Sequence, residues 1–140
     1  RLSRPRPRTT MPDPALLETF PTPLESADAA PIVIEHVSDE FTSVCPKTGH
    51  PDFGVITLRY EPAAPPEGVC VELKSLKLYY QSFRSEGIFY EAVTHRIAGD
   101  LQQLMRPRWL QLITSWRGRG GIRSVIRAEH GDVPAAWRGR

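Results

Sequence analysis

Apolar and polar positions along the 140-residue chain recur every second residue in some stretches and every third or fourth in others, and the change of period predicts the elements. Phe53-Gly-Val-Ile-Thr-Leu-Arg-Tyr60 reads as a strand, with Ile56, Leu58 and Tyr60 on one face and Val55, Thr57 and Arg59 on the other. Ile32–Val37 is a shorter β-rich run, expected at a sheet edge. Three prolines and a glycine between Glu61 and Gly68 predict a turn. Val69–Glu72 is expected as the partner strand that follows it, with Cys70 and Glu72 on one face. Leu73, Leu76, Tyr79, Tyr80 and Phe83 then take helical spacing, and Gly87 breaks the pattern. Tyr90–Met105 is the strongest helix, with Val93, Ile97, Leu101 and Leu104 in one stripe and Pro107 as its stop. Trp109–Trp116 and Ile122–Arg127 predict two further strands around the turn Arg117-Gly-Arg-Gly-Gly121.

The order is strand, strand, helix, helix, strand, strand. It predicts an α+β fold in which an antiparallel four-stranded sheet carries helices on one face. Such a sheet has two open edges, and assembly into a ring or barrel would remove them. Residues 1–30 differ in character. They hold six of the chain's prolines and no apolar period, so they are expected as an extended arm ahead of a single domain over 31–140. Leu16, Leu17 and Phe20 are the candidate anchors of that arm. Met11 lies inside it, so the first ten residues are expected to precede the natural start.

Composition narrows the picture modestly. A net charge of +2 is too small to argue for a nucleic-acid partner. Arg1, Arg4, Arg6 and Arg8 at one end and Arg138 and Arg140 at the other read as solvated tails. No apolar run approaches the roughly 20 residues needed to span a bilayer, and no signal-peptide core follows the basic start. The expectation is a cytoplasmic protein with reduced thiols and no membrane partner.

Chemistry concentrates in Phe41-Thr-Ser-Val-Cys45-Pro-Lys-Thr-Gly-His50-Pro-Asp52-Phe-Gly54, expected as a Pro/Gly loop. It sets a thiol and a carboxylic acid seven residues apart, which suits attack by sulfur on a carbon while an acid delivers a proton. Cys45 precedes a proline in a loop and so is poorly placed for a structural core cysteine. Lys47 or His50 nearby could lower its pKa. Asp52 reads either as a turn residue or, in an apolar pocket beside Cys45, as an acid with a raised pKa. Zinc held by Cys45, His50 and Cys70 is the rival reading, and no Cys-x-x-Cys or paired-His spacing supports it, so no metal is expected. Lys74 and Lys77 share a helical face that could grip phosphates, although a solvated basic face is the commoner reason for such a pair. Arg119 and the backbone around Gly120 offer a second anion site. Glu91 suits the first turn of its helix and could equally accept the paired N–H groups of a guanine-like edge, with Phe89 and Tyr90 packing the ring. No G-x-G-x-x-G opens a helix, so a Rossmann dinucleotide fold is not indicated.

Three motifs in order resemble the NADPH-dependent 7-cyano-7-deazaguanine reductases, the nitrile reductases of queuosine biosynthesis. They are Cys45-Pro-x-Thr-x-x-x-Asp52, Glu72-Leu-Lys-Ser-Leu-Lys-Leu-Tyr79, and Ser82-Phe-Arg84 followed by the Glu91 segment and Arg119-Gly-Gly-Ile122. The resemblance spans roughly residues 30–130 and implies the tunnelling fold, in which subunits join their sheets into a barrel with active sites between them. It implies Cys45 as the nucleophile forming a thioimide with the nitrile carbon, and Asp52 as the proton donor. Val71, Glu72, Leu73, Tyr90 and Glu91 would hold the deazapurine, and Lys74, Lys77, Arg119 and Gly120 the NADPH. Two hydrides would give the aminomethyl product. Family members often carry His where this chain has Tyr90. An amidotransfer on the same nitrile, a pterin-type enzyme of the same fold and a basic RNA-binding module are the alternatives, and the lysines of the Glu72–Tyr79 block favour reduction.

Overall fold

A computed structural model describes residues 11–139, so the arginines at positions 1 to 8 and Arg140 lie outside the described residues. The first element of the described residues is a 3-10 turn at Pro14–Leu16 capped by Asp13. It continues through β1 (Thr19–Pro21), β2 (Ile34–Val44), β3 (Pro51–Glu61), β4 (Val69–Val71), α1 (Leu73–Gln81), α2 (Tyr90–Met105), β5 (Trp109–Arg119) and β6 (Ile122–Gly131). The main sheet is antiparallel and four-stranded in the order β2-β3-β5-β6. This is the α+β arrangement expected from the periods.

The alternation read in Phe53–Tyr60 decides which face is buried. Ile56, Leu58 and Tyr60 are fully buried, and they meet Leu110 and Leu112 of β5 under α1 and α2. Val93, Ile97 and Leu101 fill the same core from α2, and Tyr79 and Phe83 from the α1 side. Full burial of each such side chain contributes about 1.5–3 kcal/mol relative to exposure. Helix α2 ends where Arg106 turns left-handed, at φ 46°, immediately before Pro107. Among the described residues, no helix is long and apolar enough to cross a membrane.

Two expectations are corrected. Val69–Val71 does not pair with β3, because both edges of β3 are already taken by β2 and β5. It pairs instead with the arm, Thr19 opposite Val71 and Pro21 opposite Val69, in a separate two-stranded sheet. Glu72 leaves the strand altogether and caps α1. Second, the loop is shorter than Phe41–Gly54. Residues up to Val44 extend β2 and residues from Pro51 begin β3, so only Cys45 to His50 turn. Of the three arm anchors, Leu17 is buried in the core, while Leu16 and Phe20 stay exposed. The Glu18 amide donates to Ser75 Oγ of α1 at 2.9 Å, which ties the arm to the helix.

Candidate active site

The turn between β2 and β3 is closed by its own backbone. The Cys45 amide donates to the His50 carbonyl at 2.9 Å, and the Gly49 amide donates to the Cys45 carbonyl at 2.9 Å. Gly49 takes φ +74°, a left-handed conformation that glycine adopts without penalty. Across the ladder Ser43 faces Asp52 and Val44 faces Pro51, so the last residues of β2 and the first of β3 deliver the thiol and the acid to the same end of the hairpin.

Cys45 is 9% exposed, and its pKa is drawn down to about 7. The leading cause is a hydrogen bond from the Thr48 side chain, followed by the backbone N–H groups of Thr48 and Lys47. Burial opposes them, and the Arg119 side chain adds a further donor. The lysine therefore acts through its main chain, and the charge of Lys47 or His50 is not the agent. Thr48 stands three residues after the thiol, where a turn brings its hydroxyl back onto sulfur. Its hydroxyl is also placed to meet the His50 amide, and that type of local turn bond was the readable signal.

Asp52 is buried and accepts two hydrogen bonds on the same oxygen. The Tyr90 hydroxyl donates to Oδ1 at 3.1 Å, and Arg119 donates to Oδ1 in a short ion pair. Oδ2 takes neither. Arg119 thus reaches both Asp52 and Cys45, and four residues from the β2–β3 turn, β3, α2 and β5 converge. Burial, and then the Asp52 carboxylate, raises the pKa of Tyr90, which keeps the phenol protonated and donating. The Tyr90 ring stacks on Trp116, a tryptophan that the sequence reading placed only as a strand residue.

Other candidates sit elsewhere in the single chain. Glu72 accepts from the Lys74 and Ser75 amides as the cap of α1. It lies at the far end of a nine-residue helix, about 13 Å long at 1.5 Å per residue, from the Glu86–Ile88 backbone that pairs with Val44. The Val71 amide donates to the Tyr60 hydroxyl at 3.1 Å. Leu73 and Lys77 line a cavity of about 360 Å³ between α1 and β2, together with His36, Tyr80 and Arg84. Lys74 and Glu91 are exposed, with Glu91 next to Tyr90 in the first turn of α2. Gly120 and Arg119 border a second, open cavity of about 410 Å³ with Thr48, His50 and Pro51. The zinc set is not assembled, since among the described residues no three His, Cys, Asp or Glu side chains gather.

Comparison with known proteins adds a separate line. Residues 51–135 match the family model for QueF-like protein. The chain is 51% identical over 119 residues to the NADPH-dependent 7-cyano-7-deazaguanine reductase of Anaeromyxobacter sp. (strain K), covering 85% of this chain and 92% of that protein. It is 50% identical over 117 residues to the protein of the same name from Chloroherpeton thalassium, covering 84% of this chain and 95% of that one. Among solved structures, the apo form of the archaeosine synthase QueF-Like superposes with a TM-score of 0.64, covering 75% of this chain and 99% of that chain at 19% identity. At that identity the likeness speaks for the fold alone.

Proposed function

The chain belongs to the QueF-like protein family, and on that premise we propose that it is an NADPH-dependent 7-cyano-7-deazaguanine reductase, converting the nitrile to a primary amine on the route to queuosine. The observation that carries the reading is the pairing of a thiol titrating near 7 with a buried carboxylate through one shared arginine. A nitrile carbon is a poor hydride acceptor until sulfur adds and its nitrogen gains a proton.

In the proposed reaction the Cys45 thiolate bonds the nitrile carbon and one C–N π pair moves to nitrogen. Nitrogen takes a proton from Asp52, which leaves a neutral thioimide. Asp52 accepts from both Tyr90 and Arg119 in the free protein, so it must first gain the proton that Cys45 loses. Its unshared oxygen, Oδ2, is the atom to carry that proton. Tyr90 and Glu91 are proposed to hold the deazapurine, with Val71, Glu72 and Leu73 along its other edge.

The residues present fit NADPH. Lys77, Arg84 and His36 line the α1–β2 cavity, where the buried Tyr80 hydroxyl has no hydrogen-bond partner among the described residues. Lys74 lies three residues before Lys77 on α1, and Arg119 and Gly120 border the opening beside the thiol. When bound, NADPH supplies hydride, two per nitrile. Among the described residues, edges β2 and β6 carry no partner strand on their outer sides, and joining them between subunits would remove both edges. We therefore propose a homo-oligomer with its sites between subunits, an arrangement that would let both residue groups serve one pocket.

The test supplies 7-cyano-7-deazaguanine and follows NADPH absorbance. Two NADPH consumed per substrate are expected, and a well-folded protein that consumes none would sink the reading. Asp52→Asn should lower kcat by about a hundredfold, within the range for loss of a positioned acid, and leave KM within a few-fold. A large rise in KM at normal kcat would make Asp52 a binding residue.

A further inference from the structure

We propose that Trp116 is a positioning residue for the acid of this site, setting through Tyr90 the direction in which Asp52 is held. The inference rests on the reductase reading and adds a residue to it. Three kinds of contact carry it. The Trp116 and Tyr90 rings stack with centroids 4.2 Å apart and an interplanar angle of 11°, so the indole fixes the plane in which the phenol lies. At the other end of that phenol, its O–H donates to Asp52 Oδ1.

The backbone of Tyr90 is tied to the same tryptophan. Trp116 Nε1 donates to Thr114 Oγ1 at 2.9 Å, the two threonine hydroxyls of Thr114 and Thr94 meet at 2.6 Å, and Thr94 Oγ1 donates to the Tyr90 carbonyl at 2.7 Å. Because the Thr94 proton is used on that carbonyl, Thr114 must donate to Thr94. The relay therefore runs one way, from indole to carbonyl, and closes a ring of contacts around Tyr90. Trp116 is 2% exposed and both threonines are 0% exposed. Two hydroxyls buried between α2 and β5 would be less costly as a pair of methyl groups if packing were their sole purpose. Fully satisfied, they fix orientation.

Space for the indole is provided two residues after the acid. Gly54 faces Trp116 across the ladder, and a Cβ built there would lie 2.8 Å from Trp116 Cε3. The same short segment of β3 therefore carries Asp52 and makes room for the tryptophan that aims its partner.

A double-mutant cycle tests this. Wild type, Trp116→Leu, Tyr90→Phe and the double variant are assayed for kcat and KM with 7-cyano-7-deazaguanine, with thermal midpoints as the folding control. Each single change is expected to lower kcat about tenfold at a KM within about twofold, and the double should fall no more than about threefold below the lower single. Trp116→Phe, which keeps a ring on Tyr90, should recover most of the loss. Thr114→Val removes the relay at nearly constant volume. Its few-fold loss of kcat should vanish in the Tyr90→Phe background, which keeps the test open if Trp116→Leu fails to fold. Losses that multiply in the double variant, or a folded Trp116→Leu with wild-type kcat, overturn the inference while leaving the reductase reading intact. A wild type that reduces no nitrile removes both.

Discussion

The chain contains two cysteines, Cys45 and Cys70, both buried and both free, and their surroundings push them in opposite directions. Cys45 closes a turn that aims backbone and hydroxyl donors at its sulfur, with an arginine behind them, and its pKa falls to about 7. Cys70 lies in a three-residue strand at 3% exposure. Burial raises its pKa, and the hydrogen bond with the Tyr60 side chain offsets only part of that rise. What separates the proposed nucleophile from a core cysteine here is which influence leads, the donors that reach sulfur at Cys45 and burial at Cys70.

Cys45→Ala should produce the largest effect. Turnover is expected to fall by at least about a thousandfold, as for loss of a covalent nucleophile, and mass spectrometry should find no adduct with the nitrile. An adduct surviving in that variant would move the nucleophile to Cys70 and dissolve the contrast. Thr48→Val should act next. Removing the leading donor to the thiolate raises the thiol pKa, so the midpoint for alkylation of Cys45 moves upward from about 7. A shift of about one unit would slow alkylation at neutral pH by up to tenfold, and an unchanged midpoint would assign the depression to the backbone amides and Arg119. The smallest change is expected from Cys70→Ala. Turnover should stay within about twofold, and stability should drop by about 1–2 kcal/mol for the lost packing and hydrogen bond, measured by denaturant unfolding. A folded Cys70→Ala without activity would show that the buried thiol is not the bystander described here.

Much of the fold was readable because the informative signals are local. Ile56, Leu58 and Tyr60 alternate, Val93, Ile97 and Leu101 follow a helical stripe, and each pattern is set by the element it belongs to. The pairing of Val69–Val71 was misjudged because a strand's partner is chosen by which neighbouring edge remains free, and that depends on β5 arriving beside β3 from far along the chain. The same distinction governs the site. Cys45 and Asp52 stand close in sequence and were legible as a pair. Thr48 was within reach of the same reasoning, since a hydroxyl three residues on in a turn can fold back. Trp116 and the Thr94–Thr114 contact were not legible, because a tryptophan and two threonines in regular elements look like any others until β5 is laid against α2.

The pairing of β1 with β4 makes two parts of the molecule differ in what their closure costs. The hairpin that carries Cys45 joins residues adjacent in the chain, and its closure costs little entropy. The Val71–Glu72 end is held by Thr19 opposite Val71 and by the Glu72 amide donating to the Glu18 carbonyl at 2.9 Å, with all of β2 and β3 intervening. Contacts so distant in sequence close a longer loop, and the entropic cost of closure grows with loop length. The turn that carries Cys45 therefore closes within its own hairpin, whereas the cap of α1 draws on contacts from the N-terminal arm.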